Sequence, residues 1–214
     1  MGKVIAIAHQ KGGVGKSTIA LNLAVEFSKR LSLKVVDLDY QKSLSIFNEH
    51  RKEKALEPLD ILEAKDPKEL MRIIDETSEH ILIDSGGFDS NLNRIALLGA
   101  DLIITPVSNN LIEIYGLEAF KNILEELKNI KADIKAHVLL NNVNPTSSKA
   151  IEEMRHYIQK SDYFDMFQSV LRRRVLFSRS FESGQSVIEM DDKSKAAKEL
   201  SDLIGNIESI LFNY

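Results

Sequence analysis

Short apolar runs alternate along this chain with amphipathic stretches of helical period. Lys3–His9, Leu33–Leu38, His80–Asp84, Leu102–Val107 and Ile134–Leu140 are largely apolar, as buried strands are, and Leu59–Glu63 and Phe167–Leu171 predict two shorter strands. Behind the first run, Ala20, Leu23, Ala24, Phe27 and Leu31 recur at spacings of three and four, which predicts a helix over 19–31 with one buried face. Helices are also predicted over Ser43–Glu53, from Asp66-Pro67 onward, and over Asn91–Leu98, Glu113–Ile130, Ser147–Lys160 and Ser194–Leu211. Asp66 suits an N-cap and Pro67 the first helical position. The alternation predicts an α/β fold, a mostly parallel twisted sheet with helices on both faces. No repeat, low-complexity tract or linker interrupts it, so 1–214 reads as one domain.

Composition removes several function classes. The chain has no cysteine, which excludes disulfides and cysteine-ligated iron–sulfur or zinc sites and suits a reducing cytoplasm. No apolar run approaches the ~20 residues that span a bilayer, and with a strand predicted from Lys3 no signal peptide is expected. Net charge is −4, so nucleic-acid binding requires a local basic patch.

The densest chemistry lies in Gln10-Lys11-Gly12-Gly13-Val14-Gly15-Lys16-Ser17-Thr18, between the first strand and the first helix. Its glycines let the backbone turn tightly and aim N–H groups at one point, and the helix N-terminus behind adds a positive dipole end. That suits phosphate. Lys16 supplies a charge for the β- and γ-phosphates, and the Ser17 hydroxyl suits Mg²⁺. The general phosphate-loop pattern wants glycine where Gln10 stands, and a lysine precedes the paired glycines instead.

Other polar residues fall at predicted strand ends, where α/β sheets bind ligands. Asp84 closes Ile81-Leu82-Ile83 as a Mg²⁺-holding acid would, or it caps the next helix. Asp37 and Asp39 close the second strand and belong to the same site or to a local cap. Asn141, or Asn142 beside it, follows the sixth strand as a base-reading amide or a turn residue. Arg172, Arg173, Arg174, Arg179, Lys193, Lys195 and Lys198 form a basic C-terminal set. Positive charge near the start of the last helix opposes its dipole, so phosphate-backbone binding is one explanation and a solvated mixed-charge face the other. His9 is given no role.

Lys11 through Thr18 resembles the deviant Walker A motif of the ParA/MinD family of ATPases. The resemblance covers nearly the whole chain, is strongest over 3–45 and 80–87, and points to the small Soj- and ParF-like partition branch. It implies a P-loop NTPase fold, ATP and Mg²⁺ as cofactors, and slow, partner-stimulated hydrolysis. Lys11 is expected to reach across a two-fold interface to the partner subunit's ATP, making a nucleotide-sandwich homodimer. Asp37 is expected near the Mg²⁺ with Ser17 and Asp84, Asp39 to position the attacking water, and Asn141 to contact adenine. The basic C-terminal residues are expected to bind DNA without sequence preference, under control of a ParB-like adaptor. The protein is thus expected in the cytoplasm, on the nucleoid, segregating plasmid or chromosomal DNA or another cellular body. Tyr40 and Ser85-Gly86-Gly87 depart from the family's Pro and Thr-Pro-Pro. A MinD-like membrane-positioning ATPase is the first alternative, but the tail has no Lys or Arg after Lys198 and contains Glu208, so no membrane partner is expected. A metabolic P-loop ligase is the second, and such enzymes lack a lysine like Lys11.

Overall fold

The computed structural model describes residues 2–108, 111–144 and 148–212. The predicted start of one helix at Ser147, and Asn213-Tyr214 of the tail, lie outside them. Strand β1 (Val4–Ile7) leads through the glycine loop into α1 (Lys16–Ser28), followed by β2 (Leu33–Asp37), α2 (Ser43–Glu53), β3 (Ile61–Leu62) and α3 (Pro67–Glu76). Then come β4 (His80–Asp84), α4 (Asn91–Gly99), β5 (Leu102–Val107), α5 (Leu111–Leu127), β6 (Ala136–Val143) and α6 (Ser148–Ile158). The chain continues through β7 (Phe164–Arg172), α7 (Val175–Ser183), α8 (Val187–Met190) and α9 (Lys195–Phe212).

The strands form one seven-stranded sheet in the order β3-β2-β4-β1-β5-β6-β7, and every neighbouring pair is parallel. The central strands are buried on both faces, which explains their near-continuous apolar reading. Along β1, Ile5 and Ile7 join a core with α1, α2, α8 and α9, while Val4 and Ala6 join the opposite core with α3, α4, α5 and α6. Asp66 caps α3 as its sequence predicts, accepting the Glu69 N–H at 2.9 Å.

Helix α1 and strand β6, which flank the site, depart from their predicted bounds. Helix α1 starts at Lys16 and is buried nearly all round, including Asn22 and Glu26. It lies under the sheet and also against the 180–187 segment: Asn22 accepts the Val187 N–H at 2.8 Å and Glu26 pairs with the Ser186 hydroxyl. Strand β6 runs past its predicted end to Val143. Its pairing with β7 breaks register twice, and Asn142 takes a left-handed φ of 55° there. Asn141 and Asn142 fall within the second register break, and such irregularities are common next to sites.

Candidate functional site

Strand β1 is flanked by β4 and β5, with β2 beyond β4, so the carboxyl ends of four adjacent strands converge on the glycine loop. Two cavities open there. One, of about 520 Å³, is lined by Gly12, Gly13, Gly15, Lys16, Ser17, Thr18, Asp39, Tyr40, Gln41, Gly87 and Phe88. The other, of about 320 Å³, is lined by Gly13, Val14, Gly15, Thr18, Asn141, Asn142, Arg172, Arg173, Arg174, Phe177 and Ser178. They share Gly13, Gly15 and Thr18.

The loop is held from several sides. Gly15 has φ 95°, and a Cβ there would fall 2.3 Å from the Asn141 amide nitrogen. That nitrogen donates to the Val14 carbonyl at 2.8 Å, so Asn141 braces the loop from β6. The Lys11 N–H donates to His9 Nδ1 at 2.9 Å, and Lys16 Nζ donates to the Lys11 carbonyl at 3.2 Å. Lys16 is 5% exposed, and burial lowers its pKa against the pull of Asp84 and Asp39. Lys11 itself is exposed.

The three acids have separate surroundings. Asp84 is fully buried, and neither carboxyl oxygen has a partner at hydrogen-bond geometry among the described residues. Burial pushes its pKa up to about 7; the nearby Ser17 hydroxyl and Lys16 oppose the shift, while Asp37 and Asp39 add to it. A buried unpartnered carboxylate is costly unless a cation meets it. Asp84 and Ser17 together offer the hard oxygens that Mg²⁺ takes. Asp37 is placed otherwise: its oxygens accept the N–H groups of Asp39 and Leu44, both at 3.1 Å, tying the end of β2 to the first turn of α2. Burial raises its pKa and these N–H bonds oppose the rise. Asp39 accepts the Gln41 N–H at 2.9 Å and stands in the wall of the larger cavity.

Ser85-Gly86-Gly87 also finds its reason. A Cβ on Gly87 would meet Gly12 N at 3.2 Å, Gly12 Cα at 3.3 Å and Lys16 Nζ at 3.5 Å. The loop after β4 therefore rests directly on the glycine loop, and any side chain at position 87 would press on the Gly12 backbone.

The basic residues divide. Arg172, Arg173 and Arg174 line the smaller cavity, and Glu199 of α9 pairs with Arg172 at 3.5 Å and Arg174 at 2.6 Å. Lys193, Lys195 and Lys198 are exposed near the start of α9. Phe177 and Ser178 are cavity residues that the sequence reading missed, because α7 was not recognised. Its signal was Phe177 and Phe181 at helical spacing before Gly184, whose φ of 62° is the usual helix stop.

A parallel sheet with a glycine loop at the end of its central strand, and a buried acid on the neighbouring strand, defines a P-loop nucleotide-binding protein. The chain belongs to the family described as the CobQ/CobB/MinD/ParA nucleotide binding domain, which matches residues 5–187. It is 22% identical to the maintenance of carboxysome distribution protein A of Halothiobacillus neapolitanus over 207 residues, 95% of each chain. It is 24% identical to the sporulation initiation inhibitor protein Soj of Bacillus subtilis, over 95% of this chain and 97% of Soj. The fold is shared with a putative plasmid partition protein of Borrelia burgdorferi B31 bound to AMPPNP, at TM-score 0.73 and 18% identity, over 97% of this chain and 98% of that one.

Proposed function

We propose that this protein is an ATPase of partition or positioning systems that binds ATP·Mg²⁺, dimerises around it, and is reset by slow hydrolysis. The carrying observation is the pair of lysines in one loop: Lys16 buried at its centre and Lys11 exposed at its rim. Lys16 and the loop N–H groups bind the β- and γ-phosphates. Ser17 and Asp84 are the residues that would hold Mg²⁺, which would supply positive charge against the phosphates. Asp37 acts behind them by fixing the loop that carries Asp39, and Asp39 orients the attacking water. Phosphoryl transfer is driven mainly by such positioning and electrostatics.

Lys16 already serves the phosphates of its own subunit. Lys11 supplies charge to the second subunit's nucleotide, the logic of an arginine finger given in trans. ATP then contributes contacts to the closed dimer alone, and hydrolysis opens it. A ParB-like adaptor is the proposed stimulator. DNA is held without sequence preference by exposed cations, Lys193, Lys195, Lys198 and Arg173 among them. That places the working protein on the nucleoid. The cargo is DNA or, as the name of the carboxysome relative suggests, another cellular body. A membrane-positioning role is disfavoured by α9, whose Ile204, Ile207 and Leu211 are in the core and whose Glu208 pairs with Arg30 at 2.9 Å. No helix among the described residues is long and apolar enough to cross a membrane.

Two variants test this reading. Lys16→Ala should abolish ATP binding in calorimetry, and tight binding there would remove the assigned cradle. Lys11→Ala should bind ATP but stay monomeric in light scattering with ATP·Mg²⁺; a dimer equal to wild type would remove the trans role.

A further inference from the structure

We infer that Arg174 contacts the nucleoside half of the bound nucleotide and that Glu199 is the positioning residue that holds its guanidinium there. This rests on the ATP-binding reading above and deepens it. Glu199 is only 8% exposed, and a carboxylate so buried requires partners. One oxygen accepts Arg174 Nη2 at 2.6 Å and Nε at 3.3 Å. The other accepts the Arg172 backbone N–H at 2.9 Å. One side chain of α9 thus fixes both the end of β7 and the guanidinium at the start of α7. The Arg173 N–H adds a bond to the Val143 carbonyl at 2.8 Å, which closes the segment onto β6.

The cavity behind this segment shares Gly13, Gly15 and Thr18 with the cavity around Lys16. A ligand whose phosphates reach Lys16 therefore has its remaining half beside Arg174. That half is a planar heteroaromatic base on a ribose. A guanidinium suits it, since its plane stacks on aromatic faces and its edge donates to ring nitrogens and hydroxyls. The carboxylate has a second consequence. Three consecutive arginines near a triphosphate are drawn to the phosphates. Pairing with Glu199 occupies two N–H groups of the Arg174 guanidinium and offsets its charge, which suits a nucleoside contact better than an indiscriminate phosphate contact.

The test compares wild type, Glu199→Gln and Arg174→Lys by calorimetry with Mg·ATP, Mg·GTP and inorganic tripolyphosphate. Arg174→Lys keeps the charge and leaves Glu199 paired, so it remains informative if the glutamine variant folds poorly. Both variants should bind ATP about tenfold more weakly, the scale of one charge-assisted hydrogen bond. Tripolyphosphate affinity should hold or rise, and the preference between ATP and GTP should shrink. Equal losses for ATP and tripolyphosphate would reduce the pair to a structural tie and overturn the inference. Unchanged ATP affinity with weakened DNA binding would assign Arg174 to DNA and overturn it as well. A wild type that binds neither ATP nor tripolyphosphate would instead sink the ATP reading beneath it.

Discussion

His9 shows how a buried side chain can matter beside a site without reacting in it. It is 2% exposed, its Nδ1 is engaged by the Lys11 N–H, and its ring stacks on Phe120 at 6.0 Å between centroids. Burial, with Lys16 and Lys11 adding to it, lowers its pKa from 6.5 to about 4. The unfolded chain therefore takes up this proton at higher pH than the folded one. The neutral-ring contribution is complete above pH 6.5 and is lost as pH falls through the window toward 4, with a limiting slope of about 1.4 kcal/mol per pH unit. His9→Gln should flatten the fall in stability between those pH values, measured by urea denaturation at several pH values. Parallel curves for the two proteins would place the acid sensitivity elsewhere. At this scale the phosphate loop was legible, because its whole pattern lies within a few consecutive residues. The Asn141 brace was not, since its partner Val14 is 127 positions away and the amide serves a loop or a base equally well on paper. Gly87 was visible as a departure, but its reason needed the backbone of Gly12 lying against it.

Elements with one dominant period and a local stop signal were read closely, as with α2 from Ser43 to Glu53 and β5 from Leu102 to Val107. Charge dominates the pattern from 172 to 192, and neither α7 nor α8 is legible in it. These helices are short and are fixed by distant groups. Arg51 of α2 is 3% exposed and donates to the Gly184 carbonyl at 2.8 Å, to Glu189 at 2.8 and 3.3 Å, and to the Glu57 carbonyl at 2.8 Å. A close approach makes this possible, because a Cβ on Gly184 would lie 2.7 Å from the Arg51 nitrogen. Arg51→Met keeps the stem and removes the charge, leaving Glu189 and the Gly184 carbonyl short of donors. Breaking a buried pair by removing one partner costs about 3–5 kcal/mol, and Glu189 retains Lys29 at 3.4 Å, so the lower end is expected. Guanidinium unfolding measures it. A loss below about 1 kcal/mol would show that the pair contributes little and that apolar packing alone orders α7 and α8.

At the scale of the molecule, the order of strands separates two charge patterns that composition averages away. The net charge of −4 hides a cation-lined site at the carboxyl edge of the sheet and a run of exposed lysines at the start of α9. Lys193, Lys195 and Lys198 sit where positive charge opposes a helix dipole, so local stability does not account for them. In the proposed dimer each protomer brings its own set, which doubles the contacts without changing either chain. Counterion release then makes binding steep in salt, the slope of log affinity against log salt falling by about 0.9 for each phosphate contact removed. Replacing the three lysines with alanine should flatten that slope for ATP-bound protein on duplexes of any sequence, while leaving ATP affinity and dimerisation intact. Arg174→Lys should do the reverse, weakening ATP and sparing DNA once nucleotide is saturating. If the lysine variant keeps the wild-type salt slope, these cations are a solvated face, and the DNA surface, together with the nucleoid-bound switch that needs it, must be sought on another part of the molecule.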